Sequence, residues 1–207
     1  MAKYVGPACK LCRAEGIKLF LKGTRCFTPK CGFERRPNNP GMHGRQRQKP
    51  TEYGTQLREK QKIRRIYGVL ERQFRIYFAR AARAKGVTGE ILMSLLEARL
   101  DNVVHRAGFA PSRKMARQLV NHGLVAINGK RVSIPSCQVR MGDIVTPYNE
   151  KGRTKIGAEV QVNEAYVPPE WIAVDKPTLA ATIARMPLRA DVNLPINESL
   201  VVELYSK

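Results

Sequence analysis

Apolar residues recur at helical spacing between residues 55 and 85. They stand three and four positions apart, as an amphipathic helix requires, and they are Ile63, Ile66, Tyr67, Leu70, Phe74, Tyr77, Phe78 and Ala81. At ~100° per residue these positions share one face. Basic residues occupy the remaining circumference: Arg58, Lys62, Arg65, Arg72, Arg75, Arg80 and Arg83. Gly68 lies inside the pattern and costs roughly 1 kcal/mol of helix stability relative to Ala. The pattern predicts a long helix with one packed face, one cationic face and a kink or break near Gly68.

Two more helices are predicted after this one. The first begins at Thr88, carries leucine and valine at helical spacing and ends at Gly108. The second begins at Ser112, directly after Pro111, and ends at Gly123. Its spacing predicts that it buries Met115, Leu119 and Val120 and exposes Arg113, Lys114 and Arg117.

Short strands are predicted for much of the remaining chain. A hairpin is predicted for the stretch LVAINGKRVSI. Apolar Val125 and Ile127 stand at alternate positions, Asn128-Gly129 is a turn dipeptide, and the apolar pattern resumes with Val132. Further strands are predicted for MGDIVTPY and for residues 160–175. A short helix is predicted for PTLAATIARM, and a closing strand for SLVVELYSK. The elements together indicate an α+β protein.

The balance of charge identifies the class of partner. The chain of 207 residues carries 37 Lys and Arg against 17 Asp and Glu, a formal net charge of +20. Because this exceeds what solubility requires, an extended polyanion is the expected partner. Residues 1–50 hold 12 basic and 2 acidic residues, whereas residues 151–207 hold 7 of each. We therefore expect the N-terminal half to contact the polyanion.

Long apolar segments are missing from the sequence. No run of about 18 apolar residues is present, and MAKYVGPACK lacks the apolar core of a signal peptide. These features predict a cytosolic protein without a membrane contact.

Four of the five cysteines lie close together in the sequence. Cys9 and Cys12 are separated by two residues, Cys26 and Cys31 by four, and the two pairs by 13. A reducing cytosol disfavours disulfides, and four thiolates form a closed tetrahedral site for one Zn²⁺. The predicted cofactor is one structural zinc ion, with free thiols, a pair of disulfides and an iron–sulfur cluster as alternatives. Cys137 stands alone and is expected to be a packed residue.

Basic residues also cluster around the helix predicted from Ser112 and around the adjacent hairpin, where Lys130 and Arg131 lie. Cations near a helix N-terminus favour phosphate binding. The alternative for each such surface is a solvated charged face, but three basic faces in one chain favour nucleic acid. Four aromatic residues are candidates for base stacking, namely Tyr53, Tyr67, Tyr148 and Trp171. Of these, Tyr67 and Trp171 are more typical of packed positions.

Three stretches resemble successive blocks of one family. They are RRPNNPGMHG, YGTQLREKQKIRRIYGVLERQFRIYF and LLEARLDNVVHRAGFAPSRKMARQLVNHGLVAINGKRV. The blocks are similar to those of the bacterial small-subunit ribosomal protein four family, and the resemblance runs from Cys9 to Lys207. The third block also resembles the RNA-binding domain named after that family, which pseudouridine synthases and some aminoacyl-tRNA synthetases share.

The resemblance implies an α+β protein in three parts. These would be a zinc-binding lobe with a basic linker (residues 1–45), a helical domain (46–95 plus 178–207), and an inserted RNA-binding domain of two helices packed on a small antiparallel sheet (96–177). The zinc ligands would be Cys9, Cys12, Cys26 and Cys31, which marks a zinc-binding subgroup because many family members lack these thiols.

The resemblance also implies a function. It predicts a structural constituent of the small ribosomal subunit, located in the cytoplasm within the ribosome, that binds small-subunit ribosomal RNA at a multi-helix junction early in assembly. It further predicts a place beside proteins three and five at the mRNA entry channel, an influence on translational accuracy, repression of its own mRNA, and no small-molecule substrate. The residues expected to contact RNA are Arg35, Arg36, His43, Arg45, Arg47, Lys49, Arg58, Lys62, Arg65, Arg72, Arg75, Arg83, Arg113, Lys114, Arg117, Lys130 and Arg131.

Two other classes of protein share some of these sequence features. An RNA-modifying enzyme with the same RNA-binding module needs a catalytic residue in a pocket, but no aspartate stands in a recognisable active-site motif. Those aspartates are Asp101, Asp143, Asp175 and Asp191. A DNA-binding regulator would use the two helices as a helix-turn-helix, but cations spread over three parts of the chain argue against a single recognition helix. We therefore expect a protein that is not an enzyme.

Overall fold

The computed structural model describes residues 3–42, 44, 49, 51–163 and 166–206. The predicted α+β class is confirmed. The α-helices are α1 Ala8–Glu15, α2 Gly32–Arg35, α3 Glu52–Tyr67, α4 Glu71–Arg83, α5 Thr88–Glu97, α6 Leu100–Arg106, α7 Arg113–Asn121, α8 Glu150–Val162 and α9 Glu198–Tyr205. The strands are β1 Val125–Ile127, β2 Lys130–Val132, β3 Ile144–Pro147, β4 Ile172–Asp175 and β5 Ala180–Ile183. Short 3-10 helices cover Gly23–Phe27 and Arg189–Asp191.

The chain forms two compact units. The first contains Met1–Leu92 and Leu194–Lys207, and the second contains Met93–Asn193. In the first unit the C-terminal helix α9 packs along α3, and α1 also contacts α3. Most of the apolar face predicted from the sequence forms its core, because six of its eight side chains are buried: Ile63, Ile66, Tyr67, Phe74, Tyr77 and Ala81. The other two differ from the prediction, since Leu70 is exposed and Phe78 is half-buried.

The predicted break near Gly68 is confirmed. Helix α3 ends at Tyr67, and Gly68 adopts a left-handed conformation with φ 64°. Glycine carries no Cβ and takes this conformation without the steric cost that other residues have. Its amide donates a hydrogen bond to the Arg64 carbonyl, which closes α3 before α4 begins at Glu71.

The second unit is built on an antiparallel sheet with strand order β2-β1-β3-β5-β4 within the described residues. Helices α6 and α7 contribute apolar side chains to its core, together with Val125, Val145 and the fully buried Trp171. The predicted hairpin is confirmed, because Val125 of β1 pairs with Val132 of β2. Asn128 and Gly129 both have positive φ, 50° and 77°, as the two-residue turn of such a hairpin requires.

Three sequence predictions about secondary structure were wrong. The helix predicted from Thr88 to Gly108 is two helices, α5 and α6. The stretch PTLAATIARM contains strand β5, which pairs with β3 on one side and β4 on the other. The stretch SLVVELYSK contains helix α9 instead of a strand. Helix α8 was not predicted, whereas the strand predicted within residues 160–175 is confirmed as β4, Ile172–Asp175. Residues 178–193, assigned from the sequence to the helical domain, lie in the second compact unit.

Among the described residues, no helix combines the length and the apolar character that crossing a bilayer would need.

Candidate nucleic-acid interface

Helices α3 and α4 present the basic face that the sequence predicted. Arg58, Arg72, Arg75 and Arg83 are exposed. The side chain of Arg75 is 69% exposed, although its Nε donates to Oε1 of Glu71 over 3.2 Å. Because these four guanidinium groups already lie at the protein surface, they can contact a polyanion directly.

Two residues predicted for the same basic face have protein partners instead. Lys62 is half-buried, pairs with Glu59 and lies 3.4 Å from the Pro195 carbonyl oxygen. Arg65 is also half-buried and pairs with Glu15 of α1. Because both cations contact acceptors of the protein, they contribute to the packing of the first unit more than to its free cationic surface.

Glu15 connects the N-terminal lobe to α3. Its side chain is 1% exposed and faces Arg65, with Arg58 at 3.9 Å. Burial raises the pKa of Glu15, and the charges of Arg65 and Arg58 oppose that rise. A buried carboxylate beside two guanidinium groups fixes the position of α1 on the basic helix, because the Glu15 carboxylate left without them would be costly to bury.

Glu71 links three segments of the first unit. Its carboxylate contacts Lys60 at 3.3 Å and Arg64 at 2.9 Å, and it accepts a 2.9 Å hydrogen bond from the Tyr205 hydroxyl of α9. Burial disfavours the charged form, but the hydrogen bond from Tyr205 and the charges of Lys60 and Arg64 outweigh it and lower the pKa of Glu71. Helices α3, α4 and α9 are therefore held by one ionised carboxylate.

The start of α7 is capped as the sequence predicted. The Ser112 side chain accepts a hydrogen bond from the Met115 amide over 3.3 Å, the usual arrangement at a helix N-terminus. Lys114, in the first turn, is exposed. Arg113 is half-buried, and its Nε donates to Oδ1 of Asn102 over 2.7 Å.

The prediction that α7 exposes Arg117 is wrong. This residue is 7% exposed and its Nη1 lies 3.5 Å from Oδ2 of Asp101. Residues four apart lie on the same side of a helix, so Arg113 and Arg117 both face α6. The same carboxylate receives two hydrogen bonds from Arg99, of 3.0 and 2.7 Å. A buried ion group, which the sequence did not reveal, therefore joins α6 to α7.

A second buried polar group supports Arg113. Asn102 donates to the Glu97 carbonyl oxygen over 2.9 Å and to its Oε2 over 2.6 Å, while its own oxygen holds Arg113. Glu97 also receives hydrogen bonds of 2.9 and 2.7 Å from Arg106. Since Glu97 and Asn102 are almost fully buried, this chain of polar contacts fixes Arg113 at the first turn of α7.

The hairpin contributes two exposed cations, Lys130 and Arg131. The Arg131 guanidinium carbon lies 5.9 Å from the centre of the Tyr148 ring, within the range of a cation–π contact. Tyr148 is itself exposed, as is Tyr53 of α3. Of the four candidate stacking residues, Tyr67 and Trp171 are buried core residues and do not form part of a surface.

The remaining predicted RNA contacts lie in or after the N-terminal lobe. Arg35, Arg36 and Lys49 are exposed, and the Arg35 Nε donates to the Pro29 carbonyl oxygen over 3.3 Å. Three further predicted residues lie outside the described part of the chain, namely His43, Arg45 and Arg47.

The four clustered cysteines are free thiols in one lobe. Cys12, Cys26 and Cys31 are buried. Burial raises the pKa of Cys12, which accepts a hydrogen bond from the Leu19 backbone and lies within electrostatic range of the other three cysteines. The Lys22 amide lies 3.4 Å from the Cys26 sulfur. Among the described residues, no three His, Cys, Asp or Glu side chains are grouped closely enough to hold a metal ion. Cysteine sulfur is nevertheless a usual ligand of zinc. The two N–H···S contacts, from Leu19 to Cys12 and from Lys22 to Cys26, are compatible with thiolates that bind a metal ion.

The sequence is similar to known proteins along its whole length. Residues 3–97 match the family model described as Ribosomal protein S4/S9 N-terminal domain, and residues 98–145 match the S4 domain. Proteins named small ribosomal subunit protein uS4 are 55% identical in Nitratidesulfovibrio vulgaris strain Miyazaki F, 56% in Acidithiobacillus ferrooxidans and 53% in Dictyoglomus turgidum, each match covering 100% of both chains. The chain therefore belongs to the small ribosomal subunit protein uS4 family, whose members are structural proteins of the ribosome and not enzymes.

Proposed function

We propose that this chain is a structural component of the small ribosomal subunit that binds small-subunit ribosomal RNA electrostatically. The observation that carries the proposal is the full-length identity of more than half to proteins named small ribosomal subunit protein uS4. Its physical support is the net charge of +20 together with cations exposed in both compact units: Arg35, Arg36, Lys49, Arg58, Arg72, Arg75, Arg83, Lys114, Lys130 and Arg131.

The mechanism follows from the chemistry of the phosphate backbone. Each Lys or Arg that neutralises a phosphate releases condensed counterions, so the affinity falls with salt concentration in proportion to the number of contacts. Such contacts orient the protein on folded RNA without reading its sequence. The ion groups around Glu15, Glu71 and Asp101 keep the supporting helices in fixed positions, which lowers the entropy lost on binding.

Salt titration tests this proposal. The full chain is bound to a transcript of small-subunit ribosomal RNA at a series of potassium concentrations. We expect the logarithm of the affinity to fall linearly with the logarithm of salt, and the exposed-cation variants Arg72→Ala and Lys114→Ala each to reduce the slope by about 0.7 to 0.9. Arg153→Ala on α8 replaces an exposed cation outside the predicted contacts and serves as the matched control. A flat salt response of the unmodified chain would refute the proposal.

We further propose that the N-terminal lobe binds one structural Zn²⁺ through Cys9, Cys12, Cys26 and Cys31. The spacing of the four thiols and the backbone amides directed at Cys12 and Cys26 support it. When bound, zinc would cross-link the lobe and supply folding free energy that a segment of this size lacks. Metal analysis of the purified chain should give one zinc per molecule, lost in Cys26→Ser and retained in Cys137→Ser. A folded, metal-free native protein would exclude the site.

Family membership also leads us to propose a place in ribosome assembly. In this proposal the chain binds a multi-helix RNA junction early, lies beside proteins three and five at the mRNA entry channel, influences translational accuracy, and represses its own mRNA. Chemical footprinting on protein-free small-subunit RNA should give protections concentrated at one junction. Protections that appear only after other proteins have bound would contradict early binding.

A further inference from the structure

Two phenylalanines form an exposed aromatic pair in the N-terminal lobe. The rings of Phe20 and Phe27 stack with centroids 5.0 Å apart and an interplanar angle of 26°. Phe20 is 43% exposed and Phe27 is 75% exposed. A stacked pair this open leaves the outer side of Phe27 in contact with water, an unfavourable position for a large apolar ring. Neither residue was among the aromatic residues that the sequence identified for stacking.

The backbone holds both rings outward. Phe20 stands between Leu19 and Leu21, which are both buried, so its own side chain is directed to the surface. Phe27 follows the buried Cys26 at the end of a 3-10 helix. Because buried neighbours fix both chain positions, the aromatic pair is organised before any ligand arrives, and little conformational entropy is lost when one binds.

The surroundings of the aromatic pair are cationic. Lys22, Arg25 and Lys30 are exposed within three positions of one ring or the other. Residues 3–36 contain nine Lys and Arg but only two acidic residues. Of these two, Glu15 is buried between arginines and Glu34 pairs with Lys18. The exposed charge next to the rings is therefore positive.

We propose that Phe27, backed by Phe20, is a stacking site for an unpaired base of ribosomal RNA. Each nucleotide of a single strand offers an apolar π-face and a phosphate, and proteins bind such strands by combining aromatic rings with nearby cations. In this site the base lies on the open side of Phe27, while Arg25, Lys22 and Lys30 contact the flanking phosphates. The inference rests on the proposed RNA-binding function and adds to it a contact with a base.

Stacking and charge neutralisation have different experimental signatures. Losing a stacked base weakens binding at every salt concentration, whereas losing a phosphate contact reduces the salt slope. Phe27→Leu removes the aromatic face from an exposed position, so it leaves the fold intact. We expect it to weaken the affinity for the small-subunit RNA transcript roughly 5- to 100-fold with the salt slope unchanged. Phe27→Tyr retains a ring and should bind like the unmodified chain.

Base-specific chemical probing of the same complexes locates the contact. We expect one or two unpaired bases to be protected by the unmodified chain and by Phe27→Tyr, and to become reactive again with Phe27→Leu. Leu188→Ala, at an exposed apolar position of the second unit, is the matched control and should leave affinity and protections unchanged.

The outcomes separate this inference from the proposed function. Steep salt dependence with no effect of Phe27→Leu on affinity or on base protection would overturn the stacking site and leave the proposed function intact. Salt-independent binding by the unmodified chain would refute both. Normal RNA binding by Phe27→Leu, combined with loss of a neighbouring protein from reconstituted subunits, would identify the aromatic pair as a protein contact and overturn the inference.

Discussion

At the scale of single residues, the second unit depends on buried charges that are matched by buried partners. Asp101, Arg99 and Arg117 are all nearly inaccessible, and the one carboxylate contacts both guanidinium groups. Burying an ion without a partner is expensive, and an oppositely charged partner at hydrogen-bonding distance offsets part of that cost. The stability of the α6–α7 pair should therefore be very sensitive to the charge of Asp101.

Asp101→Asn tests this dependence. The amide is close in shape to the carboxylate but neutral, so both arginines lose their negative partner while they remain buried. We expect the free energy of unfolding of the second unit to fall by about 3 to 5 kcal/mol, measured by denaturant titration. Asp175→Asn, at an exposed position, should change it by no more than about 0.5 kcal/mol. Equal midpoints for the two variants would contradict the role assigned to Asp101.

A second residue, His105, should make the stability of the second unit depend on pH. Its Nδ1 lies 3.0 Å from the Ala110 carbonyl oxygen, and burial followed by the charge of Arg113 lowers its pKa to about 4, with Glu97 acting in the opposite direction. The unfolded chain, with a histidine pKa near 6.5, therefore binds the proton more tightly than the folded chain does. The contribution of His105 to the free energy of unfolding is therefore fully present above about pH 6.5, and it is lost as the pH falls toward 4.

The measurement is the difference between two unfolding curves. His105→Gln should remove up to about 3 kcal/mol of the pH-dependent change between pH 6.5 and 4, because glutamine does not titrate. His122→Gln, at an exposed position, should retain the full dependence. An unmodified protein whose stability does not change over this interval would show that His105 is not buried in its neutral form.

At the scale of elements, close packing of backbone decides where helices lie. Helix α8 approaches the backbone just before β1 so closely that a Cβ on Gly152 would lie 2.5 Å from the Leu124 carbonyl oxygen. Farther along the same helix, a Cβ on Gly157 would meet only Leu179, at 3.7 Å. The two glycines share a helix and differ in what stands opposite them.

This pair gives a matched prediction. Gly152→Ala should lower the free energy of unfolding by about 1 to 3 kcal/mol, because a backbone carbonyl has to move. Gly157→Ala should raise it by up to about 1 kcal/mol through the higher helix propensity of alanine. Thermal unfolding of both variants measures whether each change lowers or raises the free energy of unfolding. A stabilised Gly152→Ala protein would contradict the observed contact.

At the scale of the whole molecule, the chain leaves the first unit at Leu92 and returns to it at Leu194. The return is fixed by contacts between distant residues. The Tyr205 ring stacks on Phe78 with centroids 4.4 Å apart, and its hydroxyl bonds to Glu71, 134 residues away in the sequence. The Asn197 amide donates to Oε2 of Glu59 over 3.1 Å. The basic helices α3 and α4 therefore depend on the last residues of the chain.

Tyr205→Ala should consequently weaken the basic surface from a distance. We expect the first unit to lose about 2 to 4 kcal/mol of stability, seen as faster hydrogen exchange of amides in α3 and α4, with exchange in β1 and α7 unchanged. Tyr205→Phe, which retains the ring and removes the hydroxyl, should lose only about 1 kcal/mol. Faster exchange spread evenly over both units would contradict a local role for α9.

Some features of this protein follow from the sequence alone because local chemistry controls them. The break at Gly68, the Ser112 cap and the Asn128-Gly129 turn depend on residues next to each other in the chain, and all three are present. The apolar stripe and the exposed arginines of α3 and α4 follow from helical period in the same way. Family membership was also recognisable from the sequence blocks themselves.

Tertiary structure decided the rest, because short apolar segments and charged side chains take their state from what packs against them. Residues 180–183 form a strand since β3 and β4 both pair with them, and SLVVELY forms a helix that packs on α3. Helical spacing placed Arg117 beside Arg113, but only the position of Asp101 on α6 determined that it is buried. The Phe20–Phe27 pair depends in the same way on the packing of the segment around Phe20 against the 3-10 helix that ends at Phe27.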